Sequence, residues 1–241
     1  MTRAEQIAAN LHDVRRRMNE ALQACNRSPD SVTLLAVSKT VAPEDIVAAL
    51  ATDHVSFGEN YGQEFRDKHA AVRQLLQARA ALPVPRWHFI GPLQANKVKY
   101  VTGKVVLVHS VGSPDVLASL DAKAAALGIV QDCLVQVNVA GELQKSGIAP
   151  TALPGILDSF AKLAAVRCKG LMVIPPYDEN PECSRPHFAA LRRLREDERK
   201  RVRANVTLDE LSMGMSHDLE VAIAEGATIV RVGTAIFGAR T

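Results

Sequence analysis

Val32-Thr33-Leu34-Leu35-Ala36-Val37-Ser38 is a nearly continuous apolar run that stops at Lys39. Continuous rather than alternating apolarity marks a strand buried on both faces. Seven more such runs follow, at residues 55–58, 87–91, 105–111, 133–139, 167–174, 207–213 and 228–233. Between them lie stretches of helical period, at residues 43–51, 61–81, 93–101, 114–127, 152–163, 181–204 and 217–225. The helix over 114–127 closes on Gly128, a glycine stop. Strands alternating with helices predict right-handed βαβ units and a parallel sheet. Eight units in about 250 residues is the count of a closed (β/α)₈ TIM barrel. An open doubly wound sheet is the second choice, but it carries a glycine-rich turn after its first strand. Here that position reads Ser38-Lys39-Thr40.

Upstream of the first strand, Ile7, Leu11, Val14, Met18, Leu22 and Cys25 form one apolar stripe, which predicts an extra N-terminal helix ending in residues 26–30. No linker or low-complexity stretch divides the chain, so residues 1–241 are expected to form a single domain. The 241 residues are 47% hydrophobic and 23% charged, with a formal net charge of +3. That balance is too small to argue for nucleic acid, and ten aromatic residues offer no stacking platform for single strands. No apolar run approaches the roughly 18 residues of a membrane helix, and the polar N-terminus lacks the apolar core of a signal peptide. The cytoplasm is the expected compartment. The four cysteines are widely spaced and read as reduced and structural. The seven histidines show no metal-ligand spacing, so no metal is expected. The charge-dense segment 192–201 interleaves both signs and reads as a solvated helix face.

In a barrel the chemistry lies at the C-terminal ends of the strands. Most of the eight apolar runs stop at a polar group, among them Lys39, Asn60, His109, Asn138, Ser212 and Arg231. Lys39 is placed to point into the barrel mouth. Apolar surroundings favour the neutral amine, which forms imines with aldehydes. Taken alone, Lys39 could equally be a lysine snorkelling from a strand end. Ser216 falls at the expected start of a helix, where free N–H groups favour an anion. Gly233 permits close backbone approach, and Thr234 follows it. Taken singly, Ser216 is an ordinary N-cap and Gly233 a turn. Together they suggest a phosphate cradle from the last two strands, a recurring device of this barrel. Strand eight pairs with strand one in a closed barrel, so the cradle lies beside Lys39. An imine-forming lysine beside a phosphate cradle suggests a phosphorylated aldehyde, of which pyridoxal 5'-phosphate is the commonest cofactor. The polar loop 141–147 could cover the mouth or be a surface turn. Trp87 reads as packing.

Several long stretches carry a resemblance. They are Leu35-Ala36-Val37-Ser38-Lys39-Thr40, Phe57-Gly58-Glu59-Asn60-Tyr61, residues 87–97, Lys145-Ser146-Gly147, Gly170-Leu171-Met172, residues 211–218 and residues 230–238. On these the sequence resembles the pyridoxal phosphate homeostasis proteins, whose fold is that of the alanine racemase N-terminal domain. The resemblance covers essentially the whole chain. It implies a cofactor imine at Lys39, with Asn60 and Ile90 near the ring. It implies Ser216, Gly233 and Thr234 around the phosphate, and Arg231 at the pyridine nitrogen.

The resulting expectation is a protein that holds pyridoxal 5'-phosphate for vitamin B6 homeostasis and delivery, without robust turnover. Its expected partners are apo pyridoxal-phosphate enzymes as recipients, and its expected state is a monomer or weak dimer. A pyridoxal-phosphate racemase or decarboxylase is the alternative, and a lysine-imine aldolase without cofactor is a third. In the alanine racemases that the chain resembles, a second base comes from a tyrosine in a further C-terminal domain. This sequence stops at Thr241 and has only Tyr61, Tyr100 and Tyr177, so efficient racemisation is not expected.

Overall fold

The computed structural model describes residues 1–142 and 146–239. Eight parallel strands close into a barrel in sequence order: β1 (Thr33–Val37), β2 (Ser56–Glu59), β3 (Arg86–Phe89), β4 (Leu107–Val111), β5 (Gln131–Gln136), β6 (Val166–Met172), β7 (Val206–Ser212) and β8 (Ile229–Val232). Each overlaps its predicted apolar run, with bounds that agree to within three residues. The seam joins β1 to β8, with Leu34 opposite Val230 and Leu35 opposite Arg231.

Strand periodicity sorts the side chains. Leu34 and Ala36 face outward into the helix layer. Leu35 faces inward and packs with Ile90, Leu107, Leu134, Met172 and Ile229 in a small core inside the barrel. The outer core is larger and includes the Trp87 ring against Phe57 and Phe65.

Helix α1 (Arg3–Ala24) opens with a capping box between Thr2 and Glu5, and Asn26, at φ 53°, breaks it. Its stripe of Ile7, Leu11, Val14, Met18 and Leu22 is buried. That stripe packs over the seam, against α2 (Pro43–Leu50), α7 (Leu219–Ala224) and α8 (Thr234–Phe237). The remaining helices are α3 (Gly62–Gln77), α4 (Pro114–Ala126), α5 (Leu153–Phe160) and α6 (Arg185–Arg199). Proline sits in the first turn of α2, α4, α5 and α6, where its missing N–H costs nothing. Gly128, at φ 65°, ends α4 as its sequence position predicts. The charged face of α6 carries surface ion pairs, such as Lys200 with Asp197 and Arg199 with Asp209.

Three elements differ from expectation. Residues 93–101 do not form an α-helix; Ala95–Tyr100 is a 3₁₀ turn. Only Val98 of those six is buried, too little of a stripe to sustain an α-helix. The stretch 181–204 splits into a 3₁₀ turn, Pro181–Ser184, followed by α6, with Pro186 fixing the junction. Finally, α8 is a single turn, too short to leave a periodic signal in the sequence.

Candidate functional site

The inward parity of each strand carries through its C-terminal end. On β1 the inward series is Leu35, Val37, Lys39; on β8 it is Ile229, Arg231, Gly233. A cavity of about 570 Å³ opens there. Lys39, Asn60, Ile90, Ser216, Arg231, Gly233 and Thr234 all line it. The seven residues singled out from the sequence thus meet in one place, from the C-terminal ends of five strands. Lys39, Gly233 and Thr234 also border a smaller cavity of about 270 Å³ against Arg3 and Asp45.

Arg231 is the most constrained member. It is 4% exposed, and no carboxylate of the described residues lies within 4.0 Å of it. Burial pulls its pKa down to about 10, which still leaves it a cation at neutral pH. One terminal nitrogen donates to Ser212 Oγ (2.7 Å) and the other to the Val173 carbonyl (2.8 Å). A guanidinium only donates, so Ser212 Oγ accepts from Arg231, and it shares a further hydrogen bond with His109 Nδ1 (2.9 Å). His109 Nε2 and His88 Nδ1 share the next one (2.9 Å). Burial pushes the His88 pKa down to about 4 and that of His109 well below 6.5, so both imidazoles are neutral at pH 7. The result is a hydrogen-bond chain through the barrel core. It runs from the cavity to His88, which borders a polar cavity at the opposite mouth.

Ser216 is not placed as its sequence position predicts. It lies in the turn before α7, three residues ahead of the first helical residue; the N-cap is Asp218, whose Oδ1 accepts from the Met215 N–H (2.6 Å). The N-cap reading of Ser216 therefore falls away, and the residue lines the cavity instead. Its carbonyl is held by Arg17 (3.0 Å), which also pairs with Glu220. Gly214, two residues earlier, sets the turn: its φ is 92°, and a Cβ there would lie 2.4 Å from Ala222 Cβ. Gly233 is the N-cap of α8 and Thr234 its first residue. The first N–H groups of that turn have no intrahelical acceptor.

The donor set fits pyridoxal 5'-phosphate. A buried cation with no paired carboxylate favours an anionic or electron-rich ligand. Asn60 Oδ1 is a buried acceptor without a partner, a state that costs free energy unless a ligand group meets it. A half-buried amine, a hydroxyl and helix-start N–H groups complete the wall.

The cavity also contains residues that the sequence does not single out. Ile174, Tyr177, Met215 and His217 line it, and the Tyr177 and His217 rings lie 5.2 Å apart. Tyr177 comes from the loop after β6, five residues past the strand, where no periodicity points to it. Of the loop 141–147, Leu143, Gln144 and Lys145 lie outside the described residues, and so does the question of whether it covers the mouth. The loop's two ends are tied to β5, through Asn138 Nδ2 to the Glu142 carbonyl and Gln136 Nε2 to the Ser146 carbonyl. Cys133 and Cys168 are buried with thiol pKa values pushed up, the latter to about 12, and take no part in the cavity.

The family described as "Alanine racemase, N-terminal domain" matches residues 4–241. The chain is 45% identical over 230 residues to a pyridoxal phosphate homeostasis protein of Aquifex aeolicus, covering 95% of this chain and 96% of that one. It is 44% identical over 235 residues to the protein of the same name from Pseudomonas aeruginosa, covering 97% and 96%. Among solved structures it superposes with a TM-score of 0.82 on PipY of Synechococcus elongatus with pyridoxal phosphate bound, at 34% identity, covering 96% of this chain and 100% of that one.

Proposed function

The chain belongs to the alanine racemase N-terminal domain family, among its pyridoxal phosphate homeostasis proteins, and from that premise we propose that it holds pyridoxal 5'-phosphate as an imine of Lys39. It works as one domain in the cytoplasm, as a monomer or weak dimer, and hands the cofactor to apo-enzymes that need it. The observation that carries this reading is the convergence of Lys39, Arg231 and Ser216 on one cavity.

The chemistry of Lys39 and of the phosphate groups suggests their roles: the Lys39 amine would take up the aldehyde as an imine, with release of water, and Ser216, Thr234 and the first N–H groups of α8 would hold the phosphate. The family resemblance implies that Arg231 would face the pyridine nitrogen and that Asn60 and Ile90 would border the ring. Bound cofactor supplies an electron sink for amino-acid chemistry. A permanent cation at the ring nitrogen disfavours its protonation and weakens that sink, which suits a carrier better than a racemase or decarboxylase. An aldolase acting without cofactor has no use for the phosphate groups.

The test is to reduce the loaded protein with borohydride and map the modified peptide. The label is expected on Lys39, and Lys39→Ala is expected to lose the imine absorbance while keeping its fold. A label on another lysine would sink the assignment. Transfer from the loaded protein to an apo-enzyme, measured against free cofactor, then separates delivery from mere storage.

A further inference from the structure

The turn that carries Lys39 is held from outside the cavity by a buried lysine. Lys68 lies on α3 with 5% of its side chain exposed. Its ammonium donates to the Ser38 carbonyl (2.5 Å), Glu59 Oε1 (2.8 Å) and Glu64 Oε1 (2.7 Å), which uses all three hydrogens. Ser38 Oγ donates to the same Glu59 oxygen (2.6 Å), and the Thr40 N–H donates to the same Glu64 oxygen (2.5 Å). The residues on both sides of Lys39 are therefore tied to one ammonium, Ser38 directly and Thr40 through Glu64.

Two observations say that this arrangement fixes a conformation rather than merely filling space. Thr40 has φ 63°, a left-handed backbone that a β-branched residue adopts only when its surroundings over-determine it. The network is also poorly suited to plain stabilisation. Glu59 is fully buried, its second oxygen has no partner, and burial pushes its carboxyl pKa up against the pull of Lys68 and Ser38. Apolar residues of similar volume would serve a simple core at least as well. Strand parity separates the two sides: Ser38 and Glu59 face the helix layer, while Lys39 and Asn60 face the cavity.

We propose that Lys68, with Glu59 and Glu64, is a positioning residue that locks the Ser38-Lys39-Thr40 turn and so presents the Lys39 amine to an aldehyde in the cavity. This rests on the reading of Lys39 as the imine-forming residue. Lys68 itself touches neither the cavity nor its ligand.

The test compares pyridoxal 5'-phosphate with pyridoxine 5'-phosphate, which has an alcohol in place of the aldehyde and reads ring and phosphate binding alone. Lys68→Met is expected to slow imine formation about 10- to 100-fold, the scale of a misplaced reacting group. Its affinity for the alcohol is expected to stay within about twofold of the parent protein, since no cavity residue has changed. Equal losses for both ligands, or no loss for either, overturn the proposal. If Lys68→Met does not fold by circular dichroism, Glu64→Ala decides on the same criterion; Thr40 is exposed, so its freed N–H turns to water. Lys39→Ala is run in parallel. An imine that survives in Lys39→Ala overturns the reading of the site itself. Its loss, together with unselective Lys68→Met and Glu64→Ala variants, overturns only the positioning role.

Discussion

Ser216 and Arg231 are where single side chains decide what the cavity does. Removing one charge-assisted bond to a phosphate costs about 1–3 kcal/mol, so Ser216→Ala should weaken retention of pyridoxal 5'-phosphate by that amount. Pyridoxal without the phosphate should bind the parent poorly and barely notice the change. Equal losses for the two ligands, measured by dialysis, would mean that Ser216 only shapes its turn. Arg231 bears on turnover. Its guanidinium is anchored to Ser212 and Val173 and cannot swing away without breaking both hydrogen bonds. Tyr177 reaches the cavity from the loop after β6, but it is 75% exposed and its ring is tilted beside that of His217, which does not fix its hydroxyl on a substrate carbon. Deuterium exchange at the alanine α-carbon should therefore remain well below about 1 s⁻¹, the low end of ordinary enzymatic rates, and Tyr177→Phe should leave it unchanged. Exchange at that rate or faster, lost in Lys39→Ala, would make the protein an enzyme. Lys39, Arg231 and Gly233 stood out in the sequence because apolar runs stop at or near them, whereas Asn60 and Ile90 were singled out as site residues only through the family resemblance. Tyr177 was not, because a loop places it and loops have no period.

At the scale of elements, β1 and β4 announce themselves as nearly continuous apolar runs, while β6 and β7 carry Arg167, Lys169, Asp209 and Glu210 and become fully buried only toward their C-terminal ends. The single turn α8 leaves no period, and the 3₁₀ turn Ala95–Tyr100 buries only Val98, which is why the first goes unread and the second reads as a helix. The extra helix α1 shows what a strong stripe implies. It lies over the β1–β8 seam, against α2, α7 and α8, and so supports the elements that bear Lys39, Ser216 and Thr234. Arg17 on its exposed side reaches the Ser216 carbonyl directly. Leu11 is fully buried in that stripe, and Leu11→Ala should destabilise the fold by about 2–5 kcal/mol, the range for a buried leucine truncated in a packed core. Urea titration measures it. Cofactor affinity below the transition should stay near that of the parent, because the cavity lining is untouched. A stability loss under 1 kcal/mol would show that α1 is an appendage rather than a wall of the seam.

For the whole molecule, the buried histidines connect its two ends and set its response to acid. His54 and His88 are both nearly buried, and burial pushes each pKa from 6.5 down to about 4. Between those values the unfolded chain binds more protons than the folded one, so stability rises with pH across the window. Each histidine then contributes about 3 kcal/mol above pH 6.5 that is lost progressively as the pH falls toward 4. His88 faces Arg86, Asp132, Lys169 and Glu210 around the N-terminal mouth, while the chain it belongs to ends at Arg231 in the cofactor cavity. A proton on His88 Nδ1 makes that atom a donor, so His109 must then accept at Nε2 and donate from Nδ1 to Ser212 Oγ, the same oxygen that accepts from Arg231. Acid should therefore reset the hydrogen bonds around Ser212 and Arg231 before the barrel unfolds. In urea melts at pH 7.0, 5.5 and 4.5, His88→Gln, which keeps an acceptor for His109 but cannot titrate, should show a shallower fall than the parent. The loaded parent should also change its absorbance in the same window, and the loaded His88→Gln should not. If the variant and the parent fall together, the acid sensitivity lies in the carboxylates and the chain through the barrel carries no signal.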